Sequence, residues 1–343
     1  MLVCMENQNP VRCAVLGAGS FGTCLAILLA EKGFAVSLWA RDPIVVDAIR
    51  RHRRNPRYLT EFQLPSNIEA TVSLEEALRD RDVVLSVVPS RAIREVWERG
   101  RDLLGPEALV ISASKGIEVD TGLLTHQILG EILPEEARAR LVFLSGPSFA
   151  HEIAAGLPTA ASLASSNEGF AIAAQSILSS PTFRCYTNDD VIGLELGGAL
   201  KNVIAIAVGI SDGMELGLNS RAALITRGLA EIGRLGAALG AKPLTFLGLS
   251  GIGDLVLTCT GDLSRNRRVG LAIGRGEPIE QVLEGLTQVA EGIPTTRSAF
   301  ELAQRQGVEM PITALVYRVL YERKDPGEAV RELTTRQLKS EYE

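Results

Sequence analysis

Cysteine and histidine are scarce in this chain, and their spacing matches no common metal-binding motif. Of 343 residues, five are cysteine and three are histidine. The cysteines form no CxxC pair and have no pair of histidines nearby, so a structural zinc site is not expected. Cys13 and Cys24 fall within predicted core segments, which is typical of reduced thiols in a cytosolic protein. We therefore predict a cytoplasmic protein without a metal centre.

The chain also lacks an excess of basic residues. Lysine and arginine total 35 against 41 aspartate and glutamate, which gives a formal net charge of -6 at pH 7. A general nucleic-acid-binding protein normally presents a basic face, so this class is not expected. The N-terminus has no basic stretch followed by an apolar one, so we expect no secretory signal. The sequence contains no internal repeat, coiled-coil pattern or low-complexity segment.

One apolar run is long enough to raise the question of a membrane span. Val191–Ile210 contains only two charged residues, Glu195 and Lys201, and four glycines. Both charges would lie near the middle of a bilayer, where each costs about 2.5 kcal/mol or more. The glycines suit close helix packing inside a protein. A soluble protein without stable membrane insertion is the better interpretation.

Length and patterning indicate two domains, because the chain exceeds the size at which one hydrophobic core usually keeps growing. In the first half, continuous apolar strands alternate with helix-like stretches, which predicts a doubly wound, mostly parallel α/β sheet covered on both faces. The predicted strands are Arg12–Leu16, Ala35–Trp39, Val83–Val88, Leu109–Ala113, Leu141–Leu144, Ala160–Ala164 and Phe183–Tyr186. The helices predicted between them include Phe21–Lys32, Ser73–Arg79, Ala92–Arg99 and Leu123–Leu133.

Strand signals stop after about residue 189, and the rest of the chain is predicted to be helical. The predicted helices are Val191–Ile210, Ser220–Leu239, Ser264–Arg275, Ile279–Glu284, Thr295–Gln306 and Ile312–Glu322. We therefore expect an N-terminal extension over residues 1–10, a sheet domain over residues 11–188 and an all-helical, substrate-binding domain over residues 189–343.

A glycine-rich turn, GAGSFG at residues 17–22, follows the first predicted strand and opens the first helix. Gly17 permits the tight turn, Gly19 lets backbone amides approach a pyrophosphate, and Gly22 allows close contact between helix and strand. The helix N-terminus adds unpaired N–H groups and a positive dipole end. In this context the motif predicts a Rossmann-type, dinucleotide-binding domain.

The end of the second predicted strand bears on which dinucleotide binds. An NAD-selective site often carries an acidic residue there, but here Arg41 precedes Asp42. A guanidinium can pair with a 2′-phosphate, which favours NADP with tolerance for NAD. Alternatively, Arg41 is a surface residue and Asp42 caps the following helix. The choice between NADP and NAD stays open at this point.

Lys201 is the most informative candidate for catalysis. On a helix its neighbours one turn away are Gly197, Gly198, Ile204 and Ala205, which are small or aliphatic. An ammonium there should lose hydration, so its pKa should fall and it could exchange a proton with a substrate. The alternative is a lysine that extends to the surface along its methylene stem.

Further candidates lie where predicted strands end, which is where doubly wound sheets bind ligands. Lys115, in SASKG, could bind an anionic substrate or could be an ordinary loop lysine. The segment GPSFA at residues 146–150 could present backbone amides and the Ser148 hydroxyl, or could be a plain tight turn.

In the second half, Ser264-Arg265-Asn266 at a predicted helix start could bind a phosphate, because arginine and helix amides both suit its oxygens. The same arginines could instead form a solvated helix face. Glu291 precedes Pro294, so it is expected on a loop, where it could reach the cofactor or cap the next helix.

Taken together, these segments resemble the bacterial NAD(P)-dependent glycerol-3-phosphate dehydrogenase family. The matching motifs, in order, are GAGSFGT, SASKGIE, GPSFA, GGALKN, GIGDLVLTC and SRNRRVG. The resemblance runs from about residue 11 to about residue 338. It implies reversible reduction of dihydroxyacetone phosphate to sn-glycerol 3-phosphate with NADPH or NADH, which supplies glycerophospholipid synthesis.

The resemblance also implies roles for individual residues. Lys201 would be the general acid and base. The substrate would contact Lys115, Gly146, Ser148, Lys201, Asp254, Ser264, Arg265 and Asn266. The nucleotide would contact the glycine turn together with Ser20, Phe21, Arg41, Tyr58, Lys115, Ala150, Arg265, Val289 and Glu291. Tyr58 and Val289 rest on the resemblance alone.

Besides the choice between NADP and NAD, two alternative functions and the oligomeric state stay open from the sequence. One alternative is a related two-domain dehydrogenase that acts on a carboxylate such as a β-hydroxyacid or ketopantoate, although SRN and GIGD argue against it. Another is a non-catalytic nucleotide sensor, which would not need Lys115, Lys201 and Asp254 together. Finally, the apolar helices of the second half could build a contact between two copies as easily as an internal core, so they do not fix the oligomeric state. A homodimer is the state that we expect.

Overall fold

The computed structural model describes residues 11–285, 290–338 and 340–341. One eight-stranded sheet dominates the first half of the chain, in the order β3-β2-β1-β4-β5-β6-β7-β8. Its strands are β1 (Arg12–Leu16), β2 (Ala35–Trp39), β3 (Ile68–Thr71), β4 (Val83–Ser86), β5 (Leu109–Ser112), β6 (Leu141–Ser145), β7 (Thr159–Ala164) and β8 (Phe183–Asn188). All neighbouring strands are parallel except β6 and β7. The predicted mostly parallel sheet is therefore confirmed.

The order of the strands reverses at β1, which lies between β2 and β4. In open α/β sheets, the crevice for ligands lies beyond the carboxyl ends of the strands at such a point. The glycine turn follows β1 directly, so the fold places it at this crevice.

Helices cover both faces of the sheet. In the first half they are α1 (Ser20–Glu31), α2 (Pro43–His52), α3 (Leu74–Leu78), α4 (Ile93–Gly100), α5 (Thr125–Ile132), α6 (Glu135–Arg138), α7 (Ala150–Ala154) and α8 (Glu168–Leu178). Alternate residues of β1 belong to different cores: Cys13 and Val15 pack in one cluster, Ala14 and Leu16 in the other. This two-sided burial explains why the strands read as uninterrupted apolar runs.

The described elements after β8 are all helical. They are α9 (Val191–Gly213), α10 (Gly217–Ala238), α11 (Asp254–Thr260), α12 (Arg265–Gly274), α13 (Ile279–Glu284), α14 (Gly292–Arg305), α15 (Pro311–Glu322) and α16 (Pro326–Thr334), with short helical turns at Pro243–Leu247 and Leu249–Gly253. The predicted domain boundary between residues 188 and 189 falls between β8 and α9.

The apolar run identified in the sequence forms α9, the central helix of the second half. It is 23 residues long and apolar enough to cross a membrane, but 89% of its most apolar window is buried inside the protein. Burial among the other helices accounts for its composition without a membrane.

Glycines let α9 and α12 pack backbone to backbone. A Cβ added at Gly270 would lie 2.1 Å from the carbonyl oxygen of Ile206, and one at Gly209 would lie 2.1 Å from that of Arg267. Neither position has room for a side chain. This contact fixes Lys201, on α9, relative to the SRN segment at the start of α12.

Several elements were not predicted from the sequence. Strand β3 has only four residues, IEAT, and carries an exposed Glu69, so it gives little apolar signal. Helix α8 buries mainly small side chains, Ala171 and Ala174 among them, which leaves a weak periodicity. Helices α6, α7, α11 and α16 were also not assigned, and α2 was considered only as the helix that follows Asp42.

Candidate active site

A cleft of about 450 Å³ lies between the glycine turn, the ends of the central strands and the helical half. Most of the predicted site residues line it: Gly19, Ser20, Phe21, Gly22, Lys115, Ser148, Ala150, Lys201, Ser264, Arg265, Asn266 and Glu291. Residues far apart in the sequence thus meet in one place, as the strand-end rule predicts.

Lys201 projects from α9 into the inner end of this cleft, where the residue is only 8% exposed. Its Nζ donates hydrogen bonds to Oδ1 of Asp254 and, over 3.0 Å, to Oγ1 of Thr258. Burial lowers the pKa of Lys201 to about 8, assisted by the neighbouring Lys115 and opposed by the Asp254 carboxylate. The ammonium therefore does not extend to bulk solvent along its stem.

Asp254, at the start of α11, joins the two lysines. It is 1% exposed, and its Oδ2 accepts a hydrogen bond from Lys115 Nζ over 2.8 Å. Burial acts to raise the pKa of Asp254, but Lys115 and Lys201 outweigh it and hold the pKa below its usual value. Two ammonium groups share one carboxylate, so the cluster retains positive charge that favours an anionic ligand.

The residue that directly follows β6, Gly146, holds the Lys115 side chain in position. Lys115 Nζ also donates to the carbonyl oxygen of Gly146 over 3.3 Å, and the Ser148 hydroxyl donates to the same oxygen over 2.8 Å. Gly146 adopts φ +140°, a conformation that favours glycine. On the other side, Gly198 of α9 has no room for a Cβ, which would lie 2.5 Å from the Ser145 hydroxyl. Close approach of α9 to β6 thus brings Lys115 and Lys201 together.

The SRN segment begins α12 at the mouth of the cleft. Ser264 caps the helix, because its Oγ accepts a hydrogen bond from Arg267 N over 3.2 Å. The amide of Asn266 donates to Asn202 Oδ1 and accepts from Gly292 N, both over 2.9 Å. Arg265 instead crosses the cleft, where its Nη2 donates to Ser20 Oγ over 3.1 Å.

The glycine turn has the geometry that a pyrophosphate requires. Gly17 adopts φ +112°, and a Cβ on it would lie 2.8 Å from the Val87 carbonyl oxygen. A Cβ on Gly22 would lie 1.8 Å from the Gly17 carbonyl oxygen, so helix and turn are in direct contact. At Gly19, by contrast, a Cβ would meet nothing within 4 Å, and among the described residues no side chain caps α1. These residues fit a dinucleotide whose phosphates approach the helix N-terminus.

Comparison with known proteins agrees with this geometry. The model of the NAD-dependent glycerol-3-phosphate dehydrogenase N-terminus matches residues 12–171, and that of the C-terminus matches residues 190–331. The chain belongs to this family. The family membership expected from the motifs is therefore confirmed, and with it the expectation of a nicotinamide cofactor.

Individual relatives match over nearly their whole length. The glycerol-3-phosphate dehydrogenase [NAD(P)+] of Citrifermentans bemidjiense is 54% identical over 328 residues, which are 96% of this chain and 98% of the relative. That of Nitratidesulfovibrio vulgaris strain Hildenborough is 52% identical over 334 residues, 96% of this chain and 100% of the relative. The crystal structure of glycerol-3-phosphate dehydrogenase from Coxiella burnetii superposes with a TM-score of 0.91 at 44% identity, covering 95% of this chain and 99% of that one.

Some residues that the family resemblance implied lie outside the cleft wall. Gly17, Gly146 and Asp254 lie directly behind it, in contact with residues that line it. Arg41 is exposed at the end of β2 and does not line the cleft. Tyr58 does not line it either. Val289 lies outside the described residues.

The neighbours of Arg41 and Tyr58 are nevertheless defined. Asp42 caps α2, as its Oδ1 accepts a hydrogen bond from Ile44 N over 2.9 Å, and it also pairs with Arg57 over 2.6 Å. Burial lowers the pKa of Arg265, while the charge interaction with Tyr58 opposes this. Tyr58 therefore lies within electrostatic range of the Arg265 guanidinium.

A residue of the sheet half, Ser90, positions the Glu291 side chain. Its Oε2 accepts a hydrogen bond from the Ser90 hydroxyl over 2.7 Å, and burial raises its pKa. Its side chain makes no capping hydrogen bond to α14 among the described residues. Glu291 therefore occupies the N-cap position of α14, but its side chain is directed to Ser90 instead of the helix.

Sequence reasoning did not assign several polar residues that line the cleft, Thr258 and Ser90 among them. Thr258 lies one turn after Asp254 on α11 and contacts Lys201, but that helix was not predicted. Ser90 follows β4, so the rule that strand ends carry ligands could have found it.

Proposed function

We propose that the protein catalyses the reversible reduction of dihydroxyacetone phosphate to sn-glycerol 3-phosphate with NADPH or NADH, and that Lys201 transfers the proton. The observation that carries the proposal is a buried lysine with a pKa of about 8 at the inner end of a cleft that also contains the dinucleotide turn. A group with a pKa near the working pH can both give and accept a proton.

The chemical step combines a hydride and a proton. When bound, the reduced nicotinamide supplies the hydride to the C2 carbon of the substrate. Lys201 Nζ donates its proton to the C2 oxygen, where negative charge develops, and becomes a neutral amine that tolerates burial. Positioned proton transfer of this kind contributes on the order of 10²–10⁴-fold in rate. In the oxidation direction the neutral amine accepts the proton of the alcohol.

Asp254 and Lys115 prepare Lys201 for this step. The carboxylate holds Nζ of Lys201 in place and keeps its pKa from falling further. Lys115 offers a second positive charge near the developing oxyanion, and its hydrogen bond to Gly146 fixes its position. Fixed charges in a buried site need little reorganisation during the reaction.

Arg265 is proposed as the main phosphate ligand, because its guanidinium reaches into the cleft and can bind phosphate oxygens with two N–H groups. Ser264 and Asn266 position this segment through the α12 cap and the contact to Asn202. Together with the strand-end residue Ser148, they complete the proposed substrate site. Binding energy at the phosphate would align the reacting carbon.

The nucleotide is proposed to bind along the glycine turn and the first turn of α1. Beyond this turn the proposed contacts are Phe21, Ala150, Glu291 and, at the adenosine end, Arg41, with Tyr58 and Val289 kept from the family resemblance. The open space at Gly19 supports this placement.

We further propose that the protein acts in the cytoplasm as a homodimer. Leu244 and Leu247, three residues apart on the short helical turn Pro243–Leu247, are 79% and 67% exposed, and neighbouring exposed apolar side chains often mark a contact with a partner. Light scattering after size-exclusion chromatography tests this, since a monomer at micromolar concentration would contradict it.

The reaction is tested by following oxidation of NADPH and of NADH with dihydroxyacetone phosphate, ketopantoate and a β-ketoacid in parallel. The proposal predicts rapid oxidation with the triose phosphate only. Turnover of a carboxylate substrate instead would favour the related dehydrogenase class. Tight nucleotide binding without any turnover would favour a sensor.

A further inference from the structure

A loop between α2 and β3, residues 53–64, forms part of the wall of the active-site cleft. The loop turns back on itself, because Leu64 N donates a hydrogen bond to the carbonyl oxygen of Arg53 over 2.8 Å. Leu59, near its middle, lines the cleft. Six of the twelve residues are exposed, so packing alone does little to fix the loop. Its position therefore depends on specific anchors.

Asn55 is the anchor that connects this 53–64 loop to the glycine turn. The residue is 0% exposed, and its Nδ2 donates hydrogen bonds to the carbonyl oxygen of Ala18 and to Oγ1 of Thr23, both over 2.9 Å. Ala18 lies between two glycines of the glycine turn, and Thr23 lies in the first turn of α1. One side chain thus joins the loop directly to the element that is proposed to bind the pyrophosphate.

The other half of the Asn55 amide shapes the loop itself. Its Oδ1 accepts hydrogen bonds from Arg57 N over 3.0 Å and from Tyr58 N over 3.1 Å. An asparagine that accepts from backbone N–H groups two and three residues further on stabilises a local turn. Because an amide has two donor hydrogens and two acceptor positions, every hydrogen-bonding position of Asn55 is used. The shape of the loop and its attachment to the glycine turn therefore depend on one residue.

The 53–64 loop extends along the side of the cleft where the adenosine half of a dinucleotide binds in this fold. Arg57 pairs over 2.6 Å with Asp42, which follows β2, and the adenosine ribose lies at the end of that strand in doubly wound sheets. Further along the loop, Glu61 pairs over 3.1 Å with Nε2 of His151, which also lines the cleft. The loop thus spans from the proposed ribose position to the cleft wall at α7.

We propose that Asn55 is a positioning residue for the nucleotide: it holds the 53–64 loop against the glycine turn, so that the adenosine half binds to a wall that is already formed. The proposal rests on the proposed cofactor site. Without the anchor, only a fraction of the molecules would have the loop in place, and the apparent Kd would rise by the inverse of that fraction. Proton transfer by Lys201 does not involve the loop, so kcat at saturating nucleotide should not change.

Asn67 provides a matched control. Its Nδ2 also donates two hydrogen bonds, to the carbonyl oxygens of Ala30 over 2.8 Å and Phe34 over 2.7 Å. Like Asn55, it ties the connection between α2 and β3 to α1, but at the opposite end of that helix. The 12 residues of α1 place this contact about 18 Å of helix away from the glycine turn. A purely structural role of the two asparagines predicts equal effects on nucleotide binding.

Isothermal titration calorimetry of the full chain with NADPH, NADH and ADP-ribose tests the proposal, since ADP-ribose carries the adenosine half without the nicotinamide. Asn55→Asp keeps both acceptors for the turn but directs a carboxylate at the Ala18 carbonyl oxygen. Its Kd for all three nucleotides should rise by about tenfold or more. The uncharged Asn55→Ala should show a rise of the same order, which separates the lost link from the added charge. Asn67→Asp should leave all three Kd values unchanged.

Two further measurements complete the test. The kcat for dihydroxyacetone phosphate at saturating NADPH should be the same in the original protein and in the Asn55 variants. If these variants do not fold, Thr23→Val removes one of the two bonds at nearly constant shape, and the same three Kd values should rise by about two- to tenfold.

Several results would overturn the proposal. An unchanged Kd for ADP-ribose in a folded Asn55 variant, or in Thr23→Val where that variant is needed, would mean that the loop does not bind the adenosine half. Equal increases in Asn55→Asp and Asn67→Asp would indicate a general loss of stability, and an increase in Asn55→Asp alone would indicate the added charge. If the original protein bound none of the three nucleotides, the proposed cofactor site itself would fail, and this proposal with it.

Discussion

The substitution Asp254→Asn probes how charge is shared at the active site. The carboxylate accepts hydrogen bonds from both Lys201 and Lys115, and it is 1% exposed. Removing its charge leaves two ammonium groups in a buried site without an anion between them. An opposite charge at this range shifts a pKa by about 1–3 units, so the pKa of Lys201 should fall from about 8 towards roughly 5–7. Each unit corresponds to about 1.4 kcal/mol.

The sign of the pH dependence follows from the direction of proton transfer. Reduction needs protonated Lys201, so the contribution of Lys201 to kcat/KM for dihydroxyacetone phosphate should be constant well below pH 8 and fall as the pH rises through about 8. In Asp254→Asn the fall should begin about 1–3 pH units lower. Oxidation needs the neutral amine, so its kcat/KM should rise over the same range and should move in the same direction.

The assay measures kcat/KM for reduction across pH 5 to 9 in both enzymes, and the ratio between them cancels the ionisation of the substrate phosphate. Thermal melting checks that the variant is folded. If the fall stays near pH 8 in Asp254→Asn, or moves to higher pH, the electrostatic argument is wrong.

Three further predictions concern packing and binding. Gly270→Ala should lower the free energy of unfolding in urea by about 1–3 kcal/mol or more, because the new Cβ would collide with the backbone of α9. The control Gly233→Ala should be neutral or slightly stabilising, because a Cβ there would meet no atom within 4 Å. Equal effects of the two substitutions would contradict the close contact between α9 and α12. Arg265→Ala should raise KM for dihydroxyacetone phosphate by about 10–150-fold, because charge-assisted hydrogen bonds to the phosphate are lost. Arg275→Ala, a control at an exposed arginine, should leave this KM unchanged. An unchanged KM in Arg265→Ala would mean that Arg265 does not bind the phosphate. Arg41→Ala should raise KM for NADPH more than that for NADH, and an equal change would mean that Arg41 does not meet a 2′-phosphate.

Most of the fold could be predicted from the sequence, because its strongest patterns are local and repeated. Continuous apolar strands, the glycine turn and the long apolar helix each fix one element, and all three were found where they were predicted. Elements with weak local patterns were missed: β3 is short and partly polar, and α8 buries small side chains. Their formation depends on packing partners that are distant in the chain.

The site was only partly accessible to sequence reasoning for a related reason. A lysine in an apolar helix could have pointed to solvent, and the burial of Lys201 depends on α11, which was not predicted. The bond between Asp254 and Lys115 joins residues 139 positions apart, which no local pattern encodes. Lys201 and Lys115 were identified from local sequence, and Asp254 through the family resemblance. That one carboxylate bonds to both lysines is seen only in the fold.

The central claim is that Lys201 transfers the proton, and turnover of Lys201→Met tests it most directly. Lys242→Met, an exposed lysine paired with Asp189 outside the cleft, is the matched control. We predict that Lys201→Met binds NADPH normally but loses about 10²–10⁴-fold in kcat for dihydroxyacetone phosphate, while Lys242→Met retains full activity. A folded Lys201→Met enzyme that turns over within a few-fold of the original rate would contradict the account.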